Sequence, residues 1–222
     1  MEPTTKPEHE YLEFWLQPGD IIDSDDPAIR SLAESITTGL AGDAERARAI
    51  FYWVRDRIRY NMLAPIDRPE HYRPAATVAR GEGYCVQKSA LMTGLLRAAG
   101  IPARMVFATF INHQLRREVY DMLGTNRFVY HGFVELFVEG RWIRATPVFD
   151  PDVCERMDMK TVEFDGRSTS VLHPVDRKGR PHIEYVEEHG IYHDVPYDEI
   201  MTVFARVYPM DKIDPETLAE LE

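Results

Sequence analysis

The sequence predicts an α+β fold in which a layer of helices packs on an antiparallel sheet. A long helix is predicted from Cys85, because residues 86–99 contain no proline and repeat apolar side chains at helical spacing. A β-hairpin is predicted over residues 129–146, because two runs rich in β-branched and aromatic residues flank a turn at 139–141. The chain has 222 residues, which is long enough to bury one sizeable core.

The elements before the cysteine helix follow from caps, spacing and prolines. Residues 1–26 are predicted to form an extended arm that docks on the body through aromatic and leucine side chains. Acidic residues just before Pro27 are typical of a helix start, so a helix is predicted from Pro27 to about Leu40. A second helix is predicted from Asp43, because its apolar residues fall on one stripe. Residues 61–74 contain three prolines and are predicted to form a loop.

The elements after the cysteine helix are less regular. Residues 103–110 are predicted to form a strand, and residues 111–127 an insertion with a short polar helix near the mouth of the site. Residues 151–222 are expected to be a C-terminal extension that wraps the core and borders the cleft. Two helix-like stretches are predicted within it, near 181–189 and near 196–207.

Composition favours a soluble enzyme without a nucleic-acid or membrane partner. The net charge is −11 and the basic residues are scattered, which argues against nucleic-acid binding. The only cysteines, Cys85 and Cys154, form no paired ligand spacing, so no metal site is predicted. The first residues lack the apolar core of a signal peptide, and no stretch approaches ~20 apolar residues. We therefore expect a cytoplasmic protein with free thiols.

Cys85 is the first candidate site residue. It follows Gly83 and Tyr84 at the entrance to the predicted helix. A thiol in the first turn of a helix feels the positive end of the dipole and unpaired backbone amides, which can lower its pKa from ~8.5 into the range of roughly 3.5–7.5. Because the thiolate is the nucleophile, Cys85 is predicted to be reactive. A small buried thiol is the alternative.

His131 is the candidate partner of Cys85. It lies in a predicted strand that is otherwise almost continuously apolar, as expected of a strand buried on both faces. His131 and Glu135 interrupt that run, and the two-residue period of a strand puts them on the same face. His131 is either a hydrogen-bonded core histidine or a general base facing a thiol from another element. In the second interpretation the Cys85 sulfur lies near one ring nitrogen of His131.

These motifs occur in the order found in the transglutaminase-like superfamily, a branch of the papain-like cysteine enzymes. The chain resembles the bacterial type of this family, and residues 27–150 are expected to be its catalytic core. The matching segments are Gly83-Tyr84-Cys85, residues 96–106, His131-Gly132-Phe133-Val134-Glu135, and Trp142 with Pro147. The resemblance implies a papain/transglutaminase-like core, with the cysteine at the N-terminus of a central helix packed on the antiparallel sheet that carries the histidine.

One position departs from the family's pattern. The family's third catalytic residue is an Asp four places after Trp142, where this chain has Thr146. A Thr hydroxyl can orient an imidazole but brings no charge to stabilise an imidazolium. Asp150 is the preferred charged candidate, provided that the chain folds back toward His131, and Asp152 is a weaker one. Asp150 can equally be a turn or cap residue.

The catalytic set implied by the resemblance is Cys85, His131 and Asp150, acting by acyl transfer without a cofactor. Cys85 attacks a carboxamide or peptide carbonyl of a protein or peptide substrate, His131 protonates the leaving amine, and a thioester forms. Water then gives an amidase or protease, and a lysine-like amine gives a transglutaminase. The alternative is a non-catalytic transglutaminase-like module that binds a protein or peptide. Thiol reactivity separates the two, since a poised Cys85 is expected to react with iodoacetamide before Cys154.

Overall fold

The computed structural model describes residues 8–209, with side chains described from Tyr11 to Pro209. The start of the predicted arm, residues 1–7, and the end of the extension, residues 210–222, lie outside the described residues. The helices are α1 (Glu8–Phe14), α2 (Pro27–Thr37), α3 (Asp43–Arg57), α4 (Pro74–Arg80), α5 (Cys85–Ala98), α6 (Arg117–Leu123), α7 (Pro151–Arg156) and α8 (Tyr197–Val207). The strands are β1 (Arg59–Tyr60), β2 (Glu82–Gly83), β3 (Ala103–Asn112), β4 (Arg127–Val138), β5 (Arg141–Ala145) and β6 (Ile183–Tyr192).

Four antiparallel strands form the main sheet, in the order β5-β4-β3-β6. β4 and β5 form the predicted hairpin, with Val134 opposite Ala145. Its turn uses left-handed backbone at Glu139 and Gly140, with φ values of 51° and 79°. β1 and β2 form a separate short parallel pair. Helices packed on an antiparallel sheet confirm the predicted α+β fold.

Helix α5 is the centre of the core and confirms the predicted cysteine helix. All of its residues from Val86 to Arg97 are buried, and it packs on β3, β4, α2, α3 and α4. After the helix, Gly100 adopts a left-handed φ of 78°, a common way for glycine to end a helix. A helix enclosed on all sides fixes the direction in which its first residue, Cys85, points.

Two buried cations on α5 tie it to its neighbours. Lys88 donates hydrogen bonds to the backbone carbonyls of Arg55 (3.1 Å) and Ile58 at the end of α3. Burial lowers the pKa of Lys88 to about 7. Arg97 donates to three backbone carbonyls at 2.6–3.0 Å, in the segments before α2, at the start of β3 and after β6. These bonds satisfy both cations and hold α5 against the sheet and the helical layer.

One sequence prediction is wrong: the segment near 181–189 is a strand at the sheet edge, not a helix. Ile183–Tyr192 pairs with β3, and Glu184, Glu187 and Glu188 are exposed. Glutamates four residues apart resemble the polar face of a helix. Charged side chains are equally typical of edge strands, where they discourage pairing with other chains. The periodicity therefore did not separate the two structures.

Two short helices also differ from the sequence predictions. α1 lies within the arm that was expected to be extended, and α4 begins at Pro74, where the predicted loop ends. Proline suits the first position of a helix as well as it suits a loop, which explains the second difference. The other predicted elements are present as α2, α3, β3, α6 and α8. No helix within residues 8–209 is long and apolar enough to cross a lipid bilayer.

The C-terminal extension contacts both the sheet and the helical layer. β6 adds an edge strand beside β3, and the Thr146 backbone N–H donates to the Ser170 carbonyl (3.0 Å). At Gly166, with φ of 81°, a Cβ would lie 2.1 Å from the Ala44 carbonyl oxygen, so only glycine fits. The extension thereby contributes a strand to the sheet that carries His131.

Candidate active site

Cys85 is the first residue of α5, and a hydrogen-bonded turn sets its position. The Gln87 side chain accepts a hydrogen bond from the Tyr84 backbone N–H (3.1 Å), which caps the helix start. Gln87 also donates to the carbonyls of Pro65 (2.8 Å) and His71 (3.1 Å). Because Gln87 is fully buried, these bonds fix the preceding loop against the end of the helix that carries the thiol.

Strand β4 touches the start of α5 at Gly132. A Cβ at this position would lie 3.2 Å from the Val86 Cα, a contact tighter than packed backbone readily allows. The Gly132 carbonyl accepts from the Ser89 hydroxyl (2.9 Å), and the Gly132 backbone N–H acts on the Cys85 sulfur as a hydrogen-bond donor. Glycine thus lets the histidine strand lie directly against the cysteine end of the helix.

Gly132→Ala is expected to destabilise the protein by about 1–3 kcal/mol, because the added methyl group strains the contact between β4 and α5. Urea unfolding measures the change. Gly42→Ala is the matched control, since nothing lies within 4 Å of a Cβ there and its φ is an ordinary −118°. Equal losses in the two variants would contradict the close approach at Gly132.

His131 lies on β4 beside a bulge. The pairing of β3 with β4 shifts register immediately before His131, and Tyr130 adopts φ of 52°, which is strained for an aromatic residue. A bulge of this kind re-aims the side chains next to it. The imidazole is 3% exposed and packs against three rings at centroid distances of 5.0–6.2 Å, those of Phe110, Tyr185 and Phe133.

The His131 imidazole is a neutral group with an unsatisfied nitrogen. Within residues 8–209 its Nε2 has no hydrogen-bond partner. Burial lowers the pKa of His131 to about 3, and no charged neighbour offsets the effect. No protein group in residues 8–209 therefore supplies the hydrogen bond that a fully satisfied core histidine needs at this nitrogen. A neutral imidazole can accept a proton, as a general base must.

Cys85 and His131 border the same cavity, which has a volume of about 150 Å³. Most of its wall is apolar. Val119 of α6, Phe128 of β4 and Phe204 of α8 contribute to it, together with the loop residues Met62, Leu115 and Met159. No hydrogen bond joins the Cys85 sulfur to His131 in the described part of the chain. Their direct pairing stays a prediction, while the shared cavity gives both groups access to one bound molecule.

The pKa of Cys85 is raised, whereas its position at the start of the helix predicts a lowered value. Burial of the sulfur raises the pKa of Cys85 to about 11, although the backbone N–H groups of Gly132, Val86 and Cys85 act in the opposite direction. Desolvation thus raises the pKa of the thiol by more than the backbone N–H groups at the helix start lower it. The residue is still partly exposed, because it borders the cavity. The thiol and the imidazole are therefore both neutral at pH 7.

Iodoacetamide is expected to label Cys85 before Cys154, because Cys85 is partly exposed whereas Cys154 is 1% exposed. Burial raises the pKa of both thiols to about 11, so labelling of Cys85 should rise roughly tenfold per pH unit up to about pH 9. Peptide mass spectrometry over a pH series measures both rates. A plateau near pH 7 would show that a charged partner stabilises the thiolate, contrary to this structure.

Asp150 does not orient His131 in this structure, contrary to the preferred sequence hypothesis. Its two carboxylate oxygens accept hydrogen bonds from the backbone N–H groups of Val153 (3.0 Å) and Tyr60 (2.9 Å). Asp150 thereby caps α7 and ties it to β1, which matches the alternative of a cap residue. Asp152 is exposed in the first turn of α7. Among the described residues, no carboxylate forms a hydrogen bond with His131 Nε2.

Two other candidate partners of the imidazole differ in their availability. Both oxygens of Glu135 are taken, one by Arg104 (2.7 Å) and one by Arg144 (2.7 Å), so Glu135 is committed elsewhere. Thr146 is 1% exposed, and its hydroxyl has no partner within residues 8–209. Sequence reasoning missed Tyr185, whose ring centroid lies 6.1 Å from that of His131. Its segment was predicted to be a helix and lies outside the family motifs.

A cysteine at the start of a buried helix, against a strand that carries a histidine, defines the papain-like cysteine-enzyme fold. The family model of the transglutaminase-like superfamily matches residues 30–147, more than half of the chain. The chain therefore belongs to the transglutaminase-like superfamily. The matched region includes Cys85, His131 and Thr146 and ends before Asp150.

Solved structures resemble this chain at low sequence identity. A candidate cysteine protease from Cytophaga hutchinsonii is 17% identical, with a TM-score of 0.48 and coverage of 85% of this chain and 57% of that one. The periplasmic domain of TgpA from Pseudomonas aeruginosa is 21% identical, with a TM-score of 0.44 and coverage of 65% and 48%. The chain thus spans about half the length of these proteins. No curated protein matches it.

Proposed function

We propose that this protein is a cysteine-dependent enzyme that transfers acyl groups from carboxamide or peptide bonds. The observation that carries the proposal is the single cavity bordered by both Cys85 and His131. A thiol nucleophile and a neutral imidazole base at one cavity are the two groups that acyl transfer through a thioester requires. Membership of the transglutaminase-like superfamily supports the same chemistry.

The reaction begins from a neutral pair. As the Cys85 sulfur attacks the carbonyl carbon, the thiol proton moves to the His131 imidazole. The backbone N–H groups around the sulfur, those of Cys85, Val86 and Gly132, are suited to stabilise the oxyanion that develops. The imidazolium then returns the proton to the leaving nitrogen, the C–N bond breaks, and a Cys85 thioester remains. Water or a primary amine attacks the thioester, loses a proton to His131, and releases the thiol.

The cavity wall favours a substrate with an apolar group beside the reacting carbonyl. Its lining is mostly apolar, with Phe110 and Phe128 near the histidine and Leu115 and Val119 on the insertion. Apolar walls with a few polar groups are typical of sites that orient a ligand through its hydrophobic part. A peptide segment with a large apolar side chain fits this description better than a charged one.

Casein offered together with a fluorescent primary amine tests the proposal and separates its two outcomes. A transglutaminase incorporates fluorescence into casein, whereas a protease or amidase produces new N-termini or free ammonia. Either product should appear with the wild type and be absent with Cys85→Ala. No product above the Cys85→Ala background, with casein and with its apolar peptides, would contradict acyl transfer.

A non-catalytic peptide-binding module is the second candidate function. The neutral state of Cys85 and His131, together with an uncharged Thr146 at the family's third position, favours it. Such a module binds apolar peptides in the same cavity without forming a thioester. It predicts that peptides protect Cys85 from iodoacetamide, while intact-mass analysis detects no acylated protein.

We also propose that the protein works in a reducing compartment such as the cytoplasm. Cys85 and Cys154 are both free thiols in the structure, and a nucleophilic thiol has to stay reduced. Blocking free thiols during cell lysis, followed by mass analysis, tests this. A disulfide that includes Cys85 in the native protein would contradict it.

A further inference from the structure

Three buried polar atoms near the histidine have no hydrogen-bond partner within residues 8–209. They are His131 Nε2, the Thr146 hydroxyl and the Tyr185 hydroxyl. A buried polar group without a partner costs free energy, so such atoms are uncommon in native proteins. Three of them in one region point to a polar arrangement that these side chains make together.

The sheet places these side chains on one face. Val134 pairs with Ala145, and continuing this register by one residue sets Thr146 opposite Phe133. His131 lies two residues before Phe133 on β4, so the two share a face, and Thr146 is the diagonal neighbour of His131. The Tyr185 ring lies 6.0 Å from the Phe133 ring and 6.1 Å from the imidazole.

The two hydroxyls also lie beside one another. Burial raises the pKa of Tyr185 above its usual value, while the Leu172 backbone N–H and the Thr146 hydroxyl act to lower it. Both groups therefore lie near the phenol oxygen. Neither contact meets the geometry of a hydrogen bond, since the Tyr185 and Thr146 hydroxyls are both unsatisfied. The Tyr185 ring lies beside the imidazole, so a pair of hydroxyls without partners is available on this side of His131.

Within residues 8–209, neither of the nearby buried carboxylates, Glu135 and Asp150, takes this role. Arg104 and Arg144 hold the two oxygens of Glu135, and Asp150 caps α7. Arg144 lies over the Phe133 ring at 5.3 Å, and its guanidinium is engaged by Glu135 and Glu188. The other titratable groups that line the cavity with His131 are the Cys85 thiol, the Arg116 guanidinium and the phenols of Tyr60, Tyr84 and Tyr208.

We propose that Thr146 and Tyr185 together position His131 where the family uses a carboxylate, through one bound water that the three unsatisfied atoms share. A buried water commonly makes about three hydrogen bonds to groups of this kind. The arrangement holds the proton on Nε2 and leaves the Nδ1 lone pair to accept the Cys85 proton. Tyr185 and Thr146 are positioning residues. Only the effect of this arrangement on proton transfer from Cys85 rests on the proposed function; the arrangement itself does not.

Nitrogen-15 NMR of the His131 side chain, assigned by its loss in His131→Asn, tests the arrangement without a substrate. The expected wild-type state is the neutral tautomer with the proton on Nε2. Tyr185→Phe and Thr146→Val remove a hydroxyl but keep the packing volume, so each should give a mixture of tautomers. Thr146→Ser keeps the hydroxyl and should show the wild-type pattern. Tyr192→Phe is the control, as the same substitution on the same strand. A proton on Nδ1 in the wild type, or a pattern unchanged by both variants, would overturn the proposal.

Kinetics add a second readout. Acylation of Cys85 by p-nitrophenyl butyrate should slow roughly tenfold or more in Tyr185→Phe and in Thr146→Val, since a misoriented base loses part of its effect. Thr146→Asp restores the family's carboxylate and should raise the pKa of His131 by roughly 1–3, which speeds iodoacetamide labelling of Cys85 near pH 7. Unchanged acylation in both hydroxyl variants would refute the positioning role. Correct tautomers in a protein that never acylates would refute the proposed function instead.

Discussion

Cys85→Ala is expected to abolish product formation from casein, with a loss of roughly 10⁴-fold or more relative to the wild type. The reason is chemical: without the thiol no thioester can form, and His131 alone offers no nucleophile of comparable strength. The substitution removes one sulfur atom beside a cavity that is already open, so the fold should persist. Fluorescence incorporation and new N-termini, measured on the purified variant, give the result.

Cys154→Ala is the matched control for this experiment. Cys154 is buried on α7 and does not itself line the cavity, and its sulfur contacts the Phe149 carbonyl at 3.9 Å. The variant should keep product formation near the wild-type rate even if it is somewhat less stable. Activity that survives Cys85→Ala but disappears with Cys154→Ala would contradict the assignment of the nucleophile.

Glu135→Gln is expected to have the largest effect on stability, a loss of roughly 3 kcal/mol. Glu135 is buried on β4 and receives charge-assisted hydrogen bonds from Arg104 (2.8 Å) and Arg144 (2.7 Å). Arg104 is itself buried and lies over the Trp142 ring at 3.8 Å. The amide keeps the shape of the side chain but removes the negative charge, which leaves Arg104 as an uncompensated buried cation. Urea unfolding measures the free energy.

Glu139→Gln is the control for the Glu135 experiment. Glu139 pairs with Arg167 at 3.0 Å, and both side chains are about half exposed. Exposed ion pairs contribute little, so this variant should lose less than about 1 kcal/mol. Similar losses of unfolding free energy in the two variants would show that the Arg104–Glu135 pair stabilises the fold no more than an exposed ion pair does.

The features that could be predicted from the sequence are those with strong local signals. The helix from Cys85 has no proline and an uninterrupted apolar pattern, and the hairpin of β4 and β5 has a turn with glycine between two β-rich runs. His131 stood out because it interrupts an apolar strand. The departure at Thr146 was visible because it falls at a fixed distance from Trp142.

The remaining features depend on contacts distant in sequence. β6 was predicted to be a helix, because nothing within residues 183–192 shows that β3 offers it an open edge. Tyr185 was missed for the same reason. Asp150 follows Thr146 by only four residues, which made it the preferred partner of His131. Its carboxylate instead accepts hydrogen bonds from two backbone N–H groups.

The ionisation state of the site was the least predictable property. The helix start suggested a low pKa for Cys85, yet burial raises it to about 11. Desolvation depends on how tightly β4 packs on α5 at Gly132, and the sequence does not reveal that packing. The same burial lowers the pKa of His131 to about 3, since no carboxylate contacts the imidazole to offset it.

The most direct test of the central claim, that Cys85 is a nucleophile served by His131, is pre-steady-state acylation by p-nitrophenyl butyrate. We expect a burst of one nitrophenol per protein, with the butyryl group mapped to Cys85 by mass spectrometry. In His131→Asn the burst should slow by roughly a hundredfold or more, because the base that accepts the thiol proton is missing. Absence of a butyryl group on Cys85, or an unchanged burst rate in His131→Asn, would contradict a Cys85 nucleophile served by His131.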